Sequence, residues 1–287
     1  AMTPGFRCKC GHDHFEECPN CLCPEPHDEL RMVETLMNGR WLLKLPSHRA
    51  YRPEWTTPPY WEEPRLAAMA ECIARQGAQA ARDSQPRPVV YDCGAEEGDM
   101  TGLFASWGAD VVAIEANFDV WPNIRAIFDA NGLNHRLTGC FVGFVGDELR
   151  NRPEWDAEYV GASGRTPWWP TCAYRPVISD HGFMNLNERP DCPVTTIDRL
   201  AEIYGPPTVI TIDTEGSELT VLRGAYRTLV EHRPTVFVSV HQDLPHIDQW
   251  FPGDTGEKLA EYMRSLGYYG EDLALDHELH QMWTPED

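Results

Sequence analysis

A β-branched run closed by an acid and then bracketed by two glycines constrains this chain more than any other stretch: Val89-Val-Tyr-Asp92-Cys-Gly94-Ala95-Glu96-Glu97-Gly98-Asp99. Beyond it, Met100, Leu103, Phe104 and Trp107 recur at the i, i+3, i+4, i+7 spacing of one helix face. Strand, glycine turn and helix make the first half of a nucleotide-binding βαβ unit. A second strand, Asp110 to Glu115, ends in a carboxylate 23 residues after Asp92. An acid that takes ribose hydroxyls belongs roughly 20 residues on.

Charge selects among cofactors for such a turn. A dinucleotide lays its pyrophosphate on the helix N-terminus, yet Glu96, Glu97 and Asp99 crowd that place and the middle glycine of G-x-G-x-x-G is missing. Three carboxylates repel a pyrophosphate and suit a ligand with a sulfonium and an ammonium, which points to S-adenosylmethionine. A bare structural turn between strand and helix is the competing reading.

The formal net charge of −21 disfavours a nucleic-acid partner, which calls for a basic face. No apolar run reaches the length of a membrane span, and no apolar signal-peptide core precedes the body. Ten cysteines are present, with five crowded into Cys8-Lys-Cys10-Gly-His12-Asp-His14-Phe-Glu-Glu-Cys18-Pro-Asn-Cys21-Leu-Cys23. Residues 1–30 therefore read as a small Cys/His-rich module holding structural zinc, a metal bound by four such ligands tetrahedrally. Cys8, Cys10, Cys18 and Cys21 are the first choice of ligands, with His12, His14 and Cys23 as substitutes. Free or disulfide-bonded cysteines in a tail are the alternative. The cysteine usage predicts a reducing, cytoplasmic compartment.

Residues 31–87 read as a proline- and aromatic-rich connector with one helix within Leu30 to Leu45. Its aromatics Trp41, Tyr51, Trp55, Tyr60 and Trp61 either pack on the body or line a substrate groove. Leu66, Met69, Ala70 and Ile73 mark a helix, and Gln76 to Pro88 a polar link. From residue 88 to 287 strands alternate with helices, which implies a parallel sheet covered on both faces. A helix carries Val120, Ile124, Ile127 and Phe128, and a third strand spans Leu137 to Phe144. The strands Thr208 to Asp213 and Pro234 to His241 follow, with a helix between them carrying Leu219, Leu222, Tyr226 and Leu229. A terminal hairpin is expected from Tyr268 to Trp283. Between Gly146 and Pro193 the alternation breaks in a long loop with Trp155, Arg165, Trp168, Trp169, Tyr174, Arg175 and His181. Loops of that length are usually functional. This one suits a polar substrate with flat sugar faces, or else caps the sheet edge. Ligands belong beyond the carboxyl ends of the strands, so Asp92, Glu115, Asp213 and His241 should share one rim.

At this point the residues reach a family. Pro193-Val-Thr-Thr-Ile-Asp198-Arg-Leu and Ile210-Thr-Ile-Asp213-Thr-Glu215-Gly216-Ser-Glu218-Leu-Thr-Val-Leu222-Arg-Gly224-Ala resemble the FkbM-type methyltransferases. Asp92-Cys-Gly94-Ala95 with Gly98, then Glu115-Ala116-Asn117, is similar to that family's cofactor motifs. Two positions depart: Glu96 stands where the family usually has Asn, and Ala116 where Pro is common. The resemblance implies a Rossmann-like class I methyltransferase, an α/β fold with a mostly parallel seven-stranded sheet and helices on both faces. It implies S-adenosylmethionine-dependent O-methylation of a hydroxyl on a sugar, glycan or other small polar molecule. Gly94, Ala95, Glu96 and Gly98 would border the methionine end, Asp92 its ammonium, and Glu115, Ala116 and Asn117 the ribose.

An alcohol acceptor must lose a proton. His241, neutral near pH 7 if unperturbed, is the expected general base. Asp213 and Glu215 would orient it or hold a divalent cation, although Asp213 could instead cap the next helix. Two rival functions stand beside this one: a non-enzymatic docking module built from zinc and aromatics, and a nucleic-acid methyltransferase.

Overall fold

The β-branched runs of the chain assemble into one central sheet. A computed structural model describes residues 31–150, 160–161, 192–241, 253–276 and 278–286. The expected zinc ligands, including Cys8, His12 and Cys18, and the aromatics of the expected substrate loop lie outside the described residues.

The connector opens with a hairpin, not the expected helix: β1 (Met32–Met37) pairs antiparallel with β2 (Trp41–Pro46). Asn38 and Gly39 both take positive φ, 50° and 61°. Asn-Gly is a strong hairpin signal because these two residues tolerate left-handed backbone best. Two short helices follow, α1 (Ser47–Ala50) and α2 (Pro53–Thr56). Helix α3 (Glu63–Asp83) runs on through the expected polar link. Ala78, Ala80 and Ala81 are strong helix formers, and the helix stops only at Ser84, whose φ is 54°.

The main domain continues with β3 (Val89–Cys93), α4 (Asp99–Ser106), β4 (Asp110–Glu115), α5 (Trp121–Asn131) and β5 (Leu137–Val142). The short strands β6 (Phe144–Val145), β7 (Val160–Gly161) and β8 (Val194–Thr195) come next. They precede α6 (Ile197–Tyr204), β9 (Val209–Ile212), α7 (Glu218–Arg223), α8 (Tyr226–Glu231) and β10 (Thr235–Val240). The chain finishes with α9 (Gly256–Ser265), β11 (Tyr268–Leu275) and β12 (Leu279–Pro285). The sheet order is β11-β12-β10-β9-β3-β4-β5-β7. Strands β10, β9, β3, β4 and β5 are mutually parallel, while β12 runs antiparallel to β10 and forms the terminal hairpin with β11. Seven strands therefore carry the sheet, mostly parallel as expected, and the two-residue β7 extends one edge.

Two local expectations are corrected by close backbone approach. The third strand breaks at Gly143, where a Cβ would stand 2.6 Å from the Pro193 carbonyl oxygen, and β6 leaves to pair with β8. The helix after Asp213 is two pieces, because Gly224 packs where a Cβ would meet the Gly146 carbonyl oxygen at 1.8 Å. Tyr226 consequently lies exposed rather than on an apolar face.

Side chains alternate between two cores. One holds Val90, Val111, Ala113 and Phe237 with Leu66, Met69 and Ile73 of α3, Leu103 of α4 and Ile124 and Ile127 of α5. The other holds Tyr91, Val112, Ile210 and Val238 with Leu200 of α6, Leu222 of α7 and Met263 of α9. The β1–β2 hairpin belongs to the first. The Asn131 side chain accepts from the Lys44 N–H and donates to its carbonyl, each at 2.9 Å. Trp41 packs on Trp107, and Trp55 and Trp61, in contact with each other, join the first core, so these three connector aromatics pack on the body while Tyr51 is exposed.

Candidate functional site

From β3 the chain crosses to β4 and β5 on one side, and β9 and β10 lie on the other. The crevice at such a switch point, beyond the strand carboxyl ends, is where open α/β sheets bind ligands. Here the two strand ends converge until only glycine fits. Gly94 has φ 86°, and a Cβ on it would sit 1.8 Å from the Asp213 carbonyl oxygen.

The turn after β3 is closed by its own backbone. The N–H groups of Gly94 and Ala95 both donate to the Ile114 carbonyl at 3.0 Å, and Gly98 N–H donates to Ala95. Glu115 receives the Glu96 N–H on Oε2 at 2.9 Å and the Asn117 N–H on Oε1 at 2.6 Å. Burial pushes the Glu115 carboxyl up to about 7, against the pull of those two N–H groups. Asp92 is buried beneath the turn, accepts the Thr101 hydroxyl, and is raised by burial to about 6. Asn117 caps a short 3₁₀ turn by accepting the Asp119 N–H at 3.1 Å, and Ala116 lies half-buried between it and Glu115.

The three acids that suggested a cationic ligand have protein partners instead. The guanidinium of Arg49, on α1, donates to Glu96 through both terminal nitrogens, at 3.0 and 2.9 Å, and to Asp99 through Nε at 2.7 Å. Trp55 Nε1 also donates to Asp99, at 3.1 Å. Glu97 is held by His48 at 2.6 Å and Asn123 at 2.7 Å, contacts that keep its carboxyl below the usual range despite burial. The acidity of this turn is thus met in part by the chain's own donors, and Glu96 points its carboxylate at Arg49.

Across the crevice a second acidic group surrounds His241, whose side chain is only 2% exposed. Its Nδ1 lies 3.0 Å from Glu218. Its Nε2 lies 2.5 Å from Glu278, 3.5 Å from Glu215 and 3.9 Å from Asp213. Burial alone would lower this imidazole, but Glu218 and Glu278, with help from Asp213, push it up to about 11. His241 therefore sits as an imidazolium near neutral pH, not as the neutral ring expected from its ordinary value. Glu218 is fully buried and also receives the Thr214 and Gly216 N–H groups, at 3.2 and 2.9 Å. Glu215 differs from its neighbours: it is 48% exposed, takes φ 55°, and is raised by partial burial to about 7.

Asp213 does not cap the following helix. It accepts from Arg65 at 3.2 Å and from the Ser239 hydroxyl at 3.0 Å. Burial opposes its charge, yet Arg65 and His241 hold it below the ordinary carboxylate value. Arg65, fully buried on α3, also binds Glu62 at 2.6 Å and Thr211 at 3.2 Å. His280 completes the layer, with Nδ1 3.1 Å from Ser239. Arg49, Glu62, Arg65, Ser239, Glu278 and His280 were absent from the sequence-based site. One signal existed: Asp92, Thr211, Ser239 and His280 are polar residues inside otherwise apolar strands, and register pairs Asp92 with Thr211 and Ser239 with His280. Buried polar groups cost free energy unless bonded, so such a stripe announces a partner, here Arg65 for Thr211 and, through Asp213, for Ser239.

Ligand atoms of Asp213, Glu215 and His241 all lie within 4.8 Å of one another, as do those of Glu62, Glu278 and His280. The second group already holds the Arg65 guanidinium on Glu62, which opposes a cation there. The first shares the same Arg65 through Asp213 and includes the His241 imidazolium, so a cation there would have to displace the His241 proton.

The chain matches the methyltransferase FkbM domain family over residues 92–269, more than half its length. It belongs to that family. No curated protein sequence matches it. Among solved structures it is similar to the methyltransferase FkbM from Methylobacillus flagellatus, at 17% identity and TM-score 0.44, over 77% of this chain and 59% of that one. It is also similar to an O-methyltransferase from Bacillus cereus solved with S-adenosylhomocysteine (SAH), at 11% identity and TM-score 0.44, over 83% and 86%. A caffeoyl-CoA O-methyltransferase-like protein from Staphylococcus aureus gives 12% and 0.42, over 77% and 82%. The chain thus spans about 59% of the length of the FkbM structure, and scores this low add nothing to the family match. Among the described residues no helix is long and apolar enough to cross a membrane.

Proposed function

We propose that this chain is an S-adenosylmethionine-dependent O-methyltransferase that acts on a hydroxyl of a sugar, glycan or other small polar molecule. One observation carries the reading. The Glu115 turn faces, across the switch point, a carboxylate group in which Glu215 alone is half-exposed and has no hydrogen bond to a neighbouring backbone or hydroxyl group among those described.

The residues present fit the cofactor that the family implies. Each Glu115 oxygen is fixed by one backbone N–H and keeps a lone pair, a match for two neighbouring ribose hydroxyls. A carboxyl lifted to about 7 by burial gains from such donors. The Gly94 and Ala95 N–H groups are spent on Ile114, so their contribution to the methionine end is carbonyl oxygens and close approach. S-adenosylmethionine, when bound, supplies an electrophilic methyl group.

The protein's part is to hold the acceptor and take its proton. Positioning supplies much of the rate of a displacement. His241, held as imidazolium, orients carboxylates and does not accept a proton; the base role passes to Glu215, whose pKa near 7 suits it. Asp213, fixed by Arg65 and Ser239, would accept the acceptor's hydrogen bond. A second mode, in which a divalent cation held by Asp213 and Glu215 lowers the hydroxyl pKa, would require His241 to give up its proton and join them as a ligand.

Calorimetric titration with SAH, with NAD as control, tests the reading. SAH should bind, NAD should not, and Glu115→Ala should abolish binding. Saturation at 100 times the dissociation constant should add about 2.7 kcal/mol to stability. Folded protein that ignores SAH would overturn the reading and favour the docking module. Transfer to hydroxyl acceptors that survives EDTA would favour Glu215 as base over a cation. From the sequence pattern alone, we also propose structural zinc on Cys8, Cys10, Cys18 and Cys21, with metal analysis of the full chain as its test.

A further inference from the structure

We infer that Arg49 is a positioning residue for the cofactor turn, so that the segment from β1 to α2 completes the cofactor site. The inference rests on the cofactor reading above.

Arg49 is only 1% exposed, and its fork spans two acids of one turn, Glu96 and Asp99. Glu96 itself takes φ 48°, a left-handed conformation that a Glu side chain disfavours. The peptide N–H of that residue is the donor to Glu115 Oε2 at 2.9 Å. The chain of cause is short. The guanidinium holds the Glu96 side chain, which holds the strained backbone, which aims one of the two N–H groups that orient the ribose acid. Arg49 itself is anchored from behind. It follows β2, whose Lys44 is locked to Asn131. Its neighbours His48 and Trp55 grip Glu97 and Asp99. A planar bidentate clamp of this kind is specific to Arg; Lys keeps the charge but cannot span both carboxylates.

The backbone step separates positioning from mere stability. Asn adopts left-handed backbone more readily than Glu or Ala. An Asn at position 96 should therefore hold the N–H in place with less need of the clamp.

The test is SAH titration of the full-length protein, each variant paired with a melting curve. Arg49→Lys should weaken binding tenfold or more while remaining folded at the titration temperature. Adding Glu96→Asn to Arg49→Lys should recover at least threefold of that loss, which a purely structural arginine would not allow. Should Arg49→Lys fail to fold, the single variants decide, because the Glu96 side chain is 60% exposed. Glu96→Asn should then bind at least fivefold more tightly than Glu96→Ala. Equal affinities for those two, or Arg49→Lys within twofold of wild type, would overturn the role of Arg49 and leave the cofactor reading standing. Wild-type protein that does not bind SAH would overturn both.

Discussion

At the β3 end of the crevice, Glu96, Glu97 and Asp99 meet Arg49, His48, Trp55 and Asn123. At the β9–β10 end, Asp213, Glu215, Glu218 and Glu278 gather around the single imidazole of His241, with Arg65 shared between Asp213 and Glu62. Both ends are acid-rich, but their charge is balanced differently. In the first, each of the three carboxylates accepts from the N-terminal segment or α5, with Arg49 bridging Glu96 and Asp99. In the second, four carboxylates share His241 and Arg65, and Glu215 is the most exposed of them, with the partly exposed Asp213 beside it. Rigidity suits cofactor binding and an unsatisfied carboxylate suits proton removal. A difference in how the carboxylates are bonded and exposed, more than any residue type, separates the two tasks.

Glu215→Gln should lower kcat by about 10²–10⁴-fold, the usual worth of a general base, with SAH affinity retained; single-turnover transfer to a hydroxyl acceptor would show it. His241→Leu removes the imidazolium that Glu218 and Glu278 flank from opposite ring nitrogens, leaving two buried acids without that cation. Breaking a buried pair from one side costs about 3–5 kcal/mol, measurable by urea unfolding. Gly94→Ala should cost about 2–4 kcal/mol in the same assay, from left-handed backbone and a clash with the Asp213 carbonyl.

A smaller effect separates binding from stability at the β3 end. With Glu115 near 7, SAH affinity should fall about tenfold from pH 8 to pH 6 as the carboxylate is protonated. Glu115→Gln should flatten that profile. Stability of the free protein moves the opposite way. Asp92 and Glu115 are raised from their unfolded values to about 6 and 7. Their contribution to stability is complete below about pH 4 and is lost as pH rises through 6 to 7, so Asp92→Asn should reduce the slope of a melting-temperature profile across that window. The smallest change expected is Glu97→Gln, at less than about 1 kcal/mol, because its His48 partner is half-exposed.

Much of the framework was legible in the sequence. The runs around Val89, Asp110, Val209 and Val236 are strands because β-branched side chains pack well on a pleated surface, and Gly94, Gly98 and Gly132 mark turns with positive φ. The rim of Asp92, Glu115, Asp213 and His241 followed from chain order alone. The helix expected within Leu30 to Leu45 failed because Asn38-Gly39 outweighs apolar spacing. After Gln76 polarity suggests a link, but Ala78, Ala80 and Ala81 favour helix and α3 continues to Asp83. The break at Gly224 answers to a carbonyl contributed by Gly146, a contact that no local pattern records.

Sequence by itself therefore determined the family and the succession of strands, turns and helices, since periodicity and backbone freedom are local properties of neighbouring residues. Tertiary structure alone decided which charge answers which. Arg65 reaches Asp213 across 148 positions and Arg49 reaches Glu96 across 47. A charge responds to distance and to the water around it, and neither quantity exists until the chain has folded.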